Sequence, residues 1–108
     1  MTVNALSTLD IFEPVILPEP EREIEGVYIG DLLSWVMSKA QSGDAWITIM
    51  SNINILAVAS LTDVSAIILA DDVELDDEVL NTAKEKGINI ISSKCSIFDT
   101  AVFINEVL

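Results

Sequence analysis

Four short apolar runs recur along the chain, and between each run and the next there are enough residues for one helix. The runs lie at residues 27–29, 45–50, 65–69 and 88–91. Helical patterns of about ten residues connect them. Strands joined by such helices form right-handed crossovers within a parallel sheet that is covered on both faces. The sequence therefore predicts an α/β fold, a three-layer sandwich with a mainly parallel sheet.

Polar residues mark the ends of the predicted helices. Asp31, either Asn52 or Asn54, and Ser96 are placed to cap the starts of three helices. Gly87 is placed to end another, which carries acids in its first turn and lysines in its last. The predicted helices cover residues 31–40, 52–61, 76–86 and 96–107.

The first 25 residues differ from the rest because they hold all three prolines of the chain. Proline disfavours helix and interrupts strand pairing. A short helix near residues 3–9 and a strand near residues 15–17 are predicted here. We expect an N-terminal arm of residues 1–25 that packs on one α/β domain of residues 26–108, since 108 residues suffice for a single core.

The charge of the chain limits its partners. Eighteen acidic residues against five basic ones give a formal net charge of −13. Nucleic acids and anionic membranes repel such a protein, so neither is an expected partner. Cys95 is the single cysteine, and the N-terminus lacks the pattern of a signal peptide. These features predict a cytoplasmic protein.

Signatures of catalysis are missing from the sequence. There is no histidine, no GxxxxGK[ST] phosphate loop and no GxGxxG motif. The acidic string of residues 71–78 lacks the glycine and the ligand spacing of an EF-hand loop. Cys95 and its neighbouring hydroxyls have no base to activate them. We expect no catalytic residue, no cofactor and no metal site.

A ligand site is predicted at the carboxyl ends of the strands, where open parallel sheets collect ligands. Small polar side chains and a lysine are concentrated in the loops that follow these strands. A small anionic or sugar-like ligand is expected there, and the alternative is that the polar side chains only cap helices. The candidate residues are Gly30, Asp31, Ser51, Asn52, Asn54, Ser93 and Lys94.

Some helices are more apolar than one buried stripe requires. On a helical wheel, Phe103 and Val107 fall outside the core stripe of the last helix, and Trp35 falls outside that of the first domain helix. We expect these three residues to form an interface for self-association or for a partner protein. The alternative is that a neighbouring helix or the proline-containing arm covers them.

A family resemblance rests on the same pattern of elements. The segments that carry it are residues 30–37 (GDLLSWVM), 43–50 (GDAWITIM) and 51–55 (SNINI), with continuations through 64–70 and 87–93. Over residues 24–108 the chain resembles the small stand-alone proteins of the DRTGG-domain family, and is similar to the N-terminal domain of HPr kinase/phosphorylase. The string Asp-Arg-Thr-Gly-Gly itself is absent, and Ser51-Asn52-Ile53-Asn54 stands where it is expected to begin.

The resemblance implies a non-catalytic regulatory or protein-interaction module that is accessory to a larger signalling or metabolic system. The apolar helical surface predicts that this module is a homodimer. A different class of function is a sensor that binds a nucleotide or phosphorylated metabolite at the strand ends. A third is a serine kinase-related enzyme, against which the missing phosphate loop and histidine weigh.

Overall fold

The computed structural model describes all 108 residues and confirms the α/β sandwich. Five strands form one sheet, and helices cover both of its faces. The elements, in chain order, are α1 (Val3–Ser7), β1 (Phe12–Ile16), β2 (Gly26–Ile29), α2 (Leu33–Lys39), β3 (Asp44–Thr48), α3 (Asn54–Thr62), β4 (Ala66–Leu69), α4 (Asp77–Lys86), β5 (Ile90–Ser93) and α5 (Ile97–Val107).

The order of the strands in the sheet is β1-β5-β4-β3-β2. Strands β2 to β5 are parallel, and β1 pairs antiparallel with β5. From β2 to β5 the chain always steps to the next strand in the same direction. Because such crossovers are right-handed, the three connecting helices α2, α3 and α4 lie on one face. The opposite face is left to α1 and α5.

The sheet separates two apolar cores. Alternate residues of β3 and β4 point to opposite faces, so Trp46 and Ile67 face α2 to α4, while Ile47 and Ile68 face α1 and α5. All four side chains are fully buried. Burial on both faces explains why these strands appear in the sequence as continuous apolar runs.

The N-terminal segment belongs to the same sheet. Strand β1 begins at Phe12, earlier than predicted, and its register shifts between Pro14 and Ile16. An outer strand tolerates proline, since the missing N–H is not needed for pairing on its free side. The ring of Phe12 packs edge-on against Phe103 with centroids 5.7 Å apart.

Buried polar contacts hold the chain between β1 and β2 against the sheet. The amide of Asn89 accepts a hydrogen bond from the Glu19 N–H (2.9 Å) and donates to the carbonyls of Glu19 (2.8 Å) and Ser65 (2.9 Å). The Ser65 hydroxyl donates to the Glu23 carbonyl at 2.5 Å. At the end of α3, Arg22 contacts the Asp63 carboxylate at 2.9 Å.

Asp63 ends α3 in the left-handed backbone conformation, with φ of 60°. Its carboxylate accepts hydrogen bonds from the Ser42 hydroxyl (2.5 Å) and from the Arg22 guanidinium (2.9 Å). These two hydrogen bonds, that of Ser42 first, hold the pKa of Asp63 below its ordinary value. Ionised Asp63 therefore stabilises the folded state.

The variant Asp63→Asn tests this contribution, because Asn tolerates the left-handed conformation but carries no charge. A lowered folded pKa stabilises the protein above the unfolded pKa of about 3.9, and this stabilisation is lost as the pH falls through the folded value. At pH 7 we expect Asp63→Asn to lower the free energy of unfolding by less than about 1 kcal/mol, since the site is exposed. Urea unfolding from neutral pH downward should show the difference closing below about pH 4. An undiminished difference in acid would contradict this assignment, and Asp10→Asn serves as a control.

Candidate functional site

The loop after β2 is fixed by hydrogen bonds to β3. The Trp46 Nε1–H donates to the Gly30 carbonyl at 2.9 Å. The Asp31 carboxylate accepts from the Thr48 hydroxyl (2.6 Å) and from the Ile49 N–H (3.1 Å). The prediction that Asp31 caps α2 is therefore wrong. Its carboxylate turns toward the end of β3, and α2 begins at Leu33 without a side-chain cap.

The loop after β3 leads into α3 through an exposed turn. The Asn52 side chain accepts a hydrogen bond from the Asn54 N–H at 2.9 Å, and its carbonyl accepts from Ile55 at 3.2 Å. The prediction that Asn52 or Asn54 caps α3 is therefore wrong, because the N-cap residue is Ile53 and Asn52 shapes only the turn before the helix. Ser51, Asn52 and Asn54 are all exposed.

The loop after β5 uses its hydroxyl groups internally. Ser93 is fully buried, and its Oγ lies 2.7 Å from the Thr100 hydroxyl and accepts from the Cys95 N–H at 3.2 Å. The Ser96 hydroxyl accepts from the Asp99 N–H at 3.1 Å, which confirms the predicted cap of α5. Of the predicted ligand residues in this loop, Lys94 alone is exposed.

Two aspartates lie between these loops, because β4 lies between β3 and β5 in the sheet. Asp71 donates its N–H to the Cys95 carbonyl (2.8 Å), and Asp72 donates to the Ser93 carbonyl (3.0 Å). Both aspartates adopt the left-handed conformation and both are exposed. An anion that approached Asn52 and Lys94 together would meet these two carboxylates, and like charges repel.

The topology shows where a crevice is expected at the strand ends. Ligand crevices form where loops from neighbouring strands leave for opposite faces of the sheet. In this chain that divergence occurs between β4 and β5, since α4 and α5 lie on opposite faces. There the hydrogen bonds from Asp71 and Asp72 tie the two loops together.

Two clefts lie between β1 and α4, and the second of them reaches the carboxyl end of β4 at Leu69 and the loop of Val73 and Glu74 that follows it. One cleft, of about 610 Å³, is lined by residues that include Ile16, Pro18, Asp77 and Lys84. A second, of about 270 Å³, is lined by residues that include Glu13, Val15, Glu74 and Ser92. None of the seven predicted ligand residues lines either cleft.

The three predicted interface residues differ in their exposure. Trp35 on α2 is 59% exposed, and the Lys39 ammonium lies 5.2 Å from the centre of its ring. Phe103 and Val107 are half-buried and pack against the core beneath α5. The expectation that they lie outside the core stripe is wrong, because β1 widens the sheet and Phe12 covers Phe103. Phe12 of the proline-containing arm thus covers Phe103, and the interface role of the three residues stays a prediction.

Strand β2 was predicted at residues 27–29, but the sequence did not show that it is an outer strand with exposed apolar side chains. Val27 is 37% and Ile29 is 46% exposed. The signal in the sequence is the four-residue strand Gly-Val-Tyr-Ile, which contains no charge and no proline.

The structure groups no three potential metal-ligating side chains of His, Cys, Asp or Glu. None of its helices is both long enough and apolar enough to cross a membrane.

The fold and sequence were compared with known proteins. A similar solved structure is described as the CBS and DRTGG domains of the regulatory region of Clostridium perfringens pyrophosphatase, complexed with its activator diadenosine tetraphosphate. The TM-score is 0.68 at 19% identity, over 86% of this chain and 41% of that chain. The present chain therefore spans less than half the length of that structure. No curated protein matches in sequence. The sequence model of the DRTGG domain matches residues 18–107, and the chain belongs to the DRTGG domain family.

Proposed function

We propose that this chain is a non-catalytic regulatory module that acts by association, pairing with a second copy and serving a larger protein of a signalling or metabolic system. Family membership supports the regulatory role, because the DRTGG domain of the C. perfringens pyrophosphatase lies in a regulatory region. The missing phosphate loop and histidine give no support to a kinase-related activity.

The observation that carries the proposal is a pair of large apolar side chains that are exposed to solvent. Leu32 and Trp35 are each 59% exposed, next to one another at the start of α2. A buried Trp is among the commonest energetic centres of protein interfaces. Surfaces of this kind favour binding to another protein rather than to a small polar ligand.

The proposal includes a cytoplasmic location with neither nucleic acid nor membrane as a partner. The net charge of −13 supports the exclusion of anionic partners. The single cysteine, Cys95, is half-buried and free, which is usual for proteins of reducing compartments.

Light scattering over a range of protein concentrations tests association directly. We expect the mass of two chains at high concentration, and we expect Trp35→Ala to raise the dimer dissociation constant about tenfold or more, since a central Trp is worth 2 kcal/mol or more. Leu61→Ala is the matched control, because Leu61 is 72% exposed but lies at the far end of α3. A wild-type chain that remains monomeric throughout would refute the proposal.

Small-ligand sensing is a second candidate function. The observation that favours it is the complex of the C. perfringens regulatory region with diadenosine tetraphosphate. In this chain, Ser93 and Asp31 are engaged in internal hydrogen bonds, and Asp71 and Asp72 are exposed beside Lys94. These features oppose the binding of a polyphosphate.

Thermal unfolding with diadenosine tetraphosphate distinguishes the two functions. A ligand that binds the folded state raises the melting temperature in a saturable way. We expect no such rise, because the exposed carboxylates of Asp71 and Asp72 repel a polyphosphate, and none of the predicted ligand residues lines a cleft. A saturable rise that disappears in Lys94→Ala would favour the sensor, with Lys39→Ala, a lysine on α2, as the matched control.

A further inference from the structure

Strand β2 is the outer strand of the sheet and has an unpaired side. In a parallel sheet, every second residue of a strand directs both its N–H and its C=O to the same adjacent strand. The Gly30 N–H donates to the Ile47 carbonyl of β3 at 3.3 Å. By the same alternation, the N–H and C=O of Tyr28 point to β3. The N–H and C=O groups of Val27 and Ile29 point to the unpaired side of β2.

The other outer strand, β1, is protected against further pairing. The Phe12 N–H is already bonded to the Leu9 carbonyl at 2.9 Å, and Pro14 has no N–H. The register shift before Ile16 distorts the strand further. Proteins use prolines and bulges of this kind to block addition of a strand at a sheet edge. Strand β2 has neither device, and no lysine or other charge lies within it.

The free side of β2 is also uncharged, although the chain carries a net charge of −13. Two acids flank the strand, and although both residues are exposed, their carboxylates lie on the side of β3. The Asp31 carboxylate is bonded to Thr48 and Ile49, and the Glu25 carboxylate lies against Gly43, in the space that a Cβ of that residue would occupy. Two copies of so acidic a protein repel one another over most of their surfaces. At this edge the nearest carboxylates point away.

Apolar side chains lie on both faces beside this edge. Val27 and Ile29 are in register with Ala45 and Ile47, which face α5, and they remain partly exposed. On the other face, α2 is the last helix of the row α2-α3-α4. Leu33 packs against the core, so Leu32 and Trp35 occupy the flank of α2 that has no neighbouring helix.

We propose that a second copy of the chain adds its own β2 to this edge, antiparallel and about a two-fold axis, so that two five-stranded sheets become one continuous sheet. This inference rests on the proposed function and assigns its pairing surface. Val27 exchanges main-chain hydrogen bonds with Ile29 of the second copy, and Tyr28 lies opposite Tyr28 of the second copy.

The same symmetry brings the two α2 helices together on one face. A stable interface buries about 800 Å² on each partner, more than a four-residue strand alone supplies. The remaining area comes from Leu32 and Trp35, which lie beside the strand and meet the corresponding helix of the second copy. A C₂ interface of this kind uses the same patch on both copies.

Three variants of the full chain test the pairing by light scattering. Val27→Lys places a charge on the edge, and Val27→Pro removes its outward N–H without disturbing the pairing of β2 with β3. Val15→Lys is the matched control, since Val15 lies on the opposite outer strand and is 39% exposed against 37% for Val27. Circular dichroism and thermal unfolding establish that each variant is folded.

We expect the wild type and Val15→Lys to be dimers, and both Val27 variants to be folded monomers at concentrations where the wild type is fully dimeric. Dimers in all variants would overturn the pairing at β2 and leave association itself intact. A dimeric Val27→Pro beside a monomeric Val27→Lys would show side-chain contact without main-chain pairing, which overturns the shared sheet. A monomeric wild type would overturn this inference and the proposed function together.

Discussion

The constraint on which the rest of the structure depends is the direction of the crossovers. Each step from β2 to β5 goes to the next strand on the same side, so right-handed connections put α2, α3 and α4 on one face. At one end of the row of helices, α4 packs against the outer strand β1. At the other end α2 has no neighbour, and β2 has no strand beyond it. The open edge of the molecule follows from this topology.

The same constraint governs the strand ends. A crevice needs neighbouring loops that separate, and here the loops after β2, β3 and β4 all return to the same face. The loop after β5 leaves for the opposite face, but the main-chain N–H groups of Asp71 and Asp72 donate to its carbonyls and tie the two loops together. Some of the predicted ligand residues make internal hydrogen bonds. Ser93 with Thr100 and Asp31 with Thr48 are examples.

Much of the fold was predictable from the sequence, because burial on both faces leaves β3 and β4 as uninterrupted apolar runs and Ser96 and Gly87 mark helix ends by local chemistry. The role of Asp31 was not predictable, because its hydrogen-bond partner Thr48 lies on a different strand and no local sequence pattern shows a contact between strands. Cover of Phe103 by the N-terminal arm was one of two alternatives, and the sequence alone did not identify Phe12 as its partner for the same reason. Pro14 made the first strand hard to identify, because a proline is compatible with a strand only at an edge. Sequence periodicity does not contain the strand order, which is what places Asp71 and Asp72 between the candidate ligand loops.

Hydrogen exchange at the main chain of β2 tests the central claim most directly, because pairing with a second copy must protect the amides of Val27 and Ile29. Exchange is measured at a low protein concentration and at one where light scattering gives the mass of two chains. The account predicts that both amides exchange fast at low concentration and become protected as the dimer forms, while the amide of Val15 on β1 does not change. Fast exchange of Val27 and Ile29 in a fully dimeric sample would contradict it.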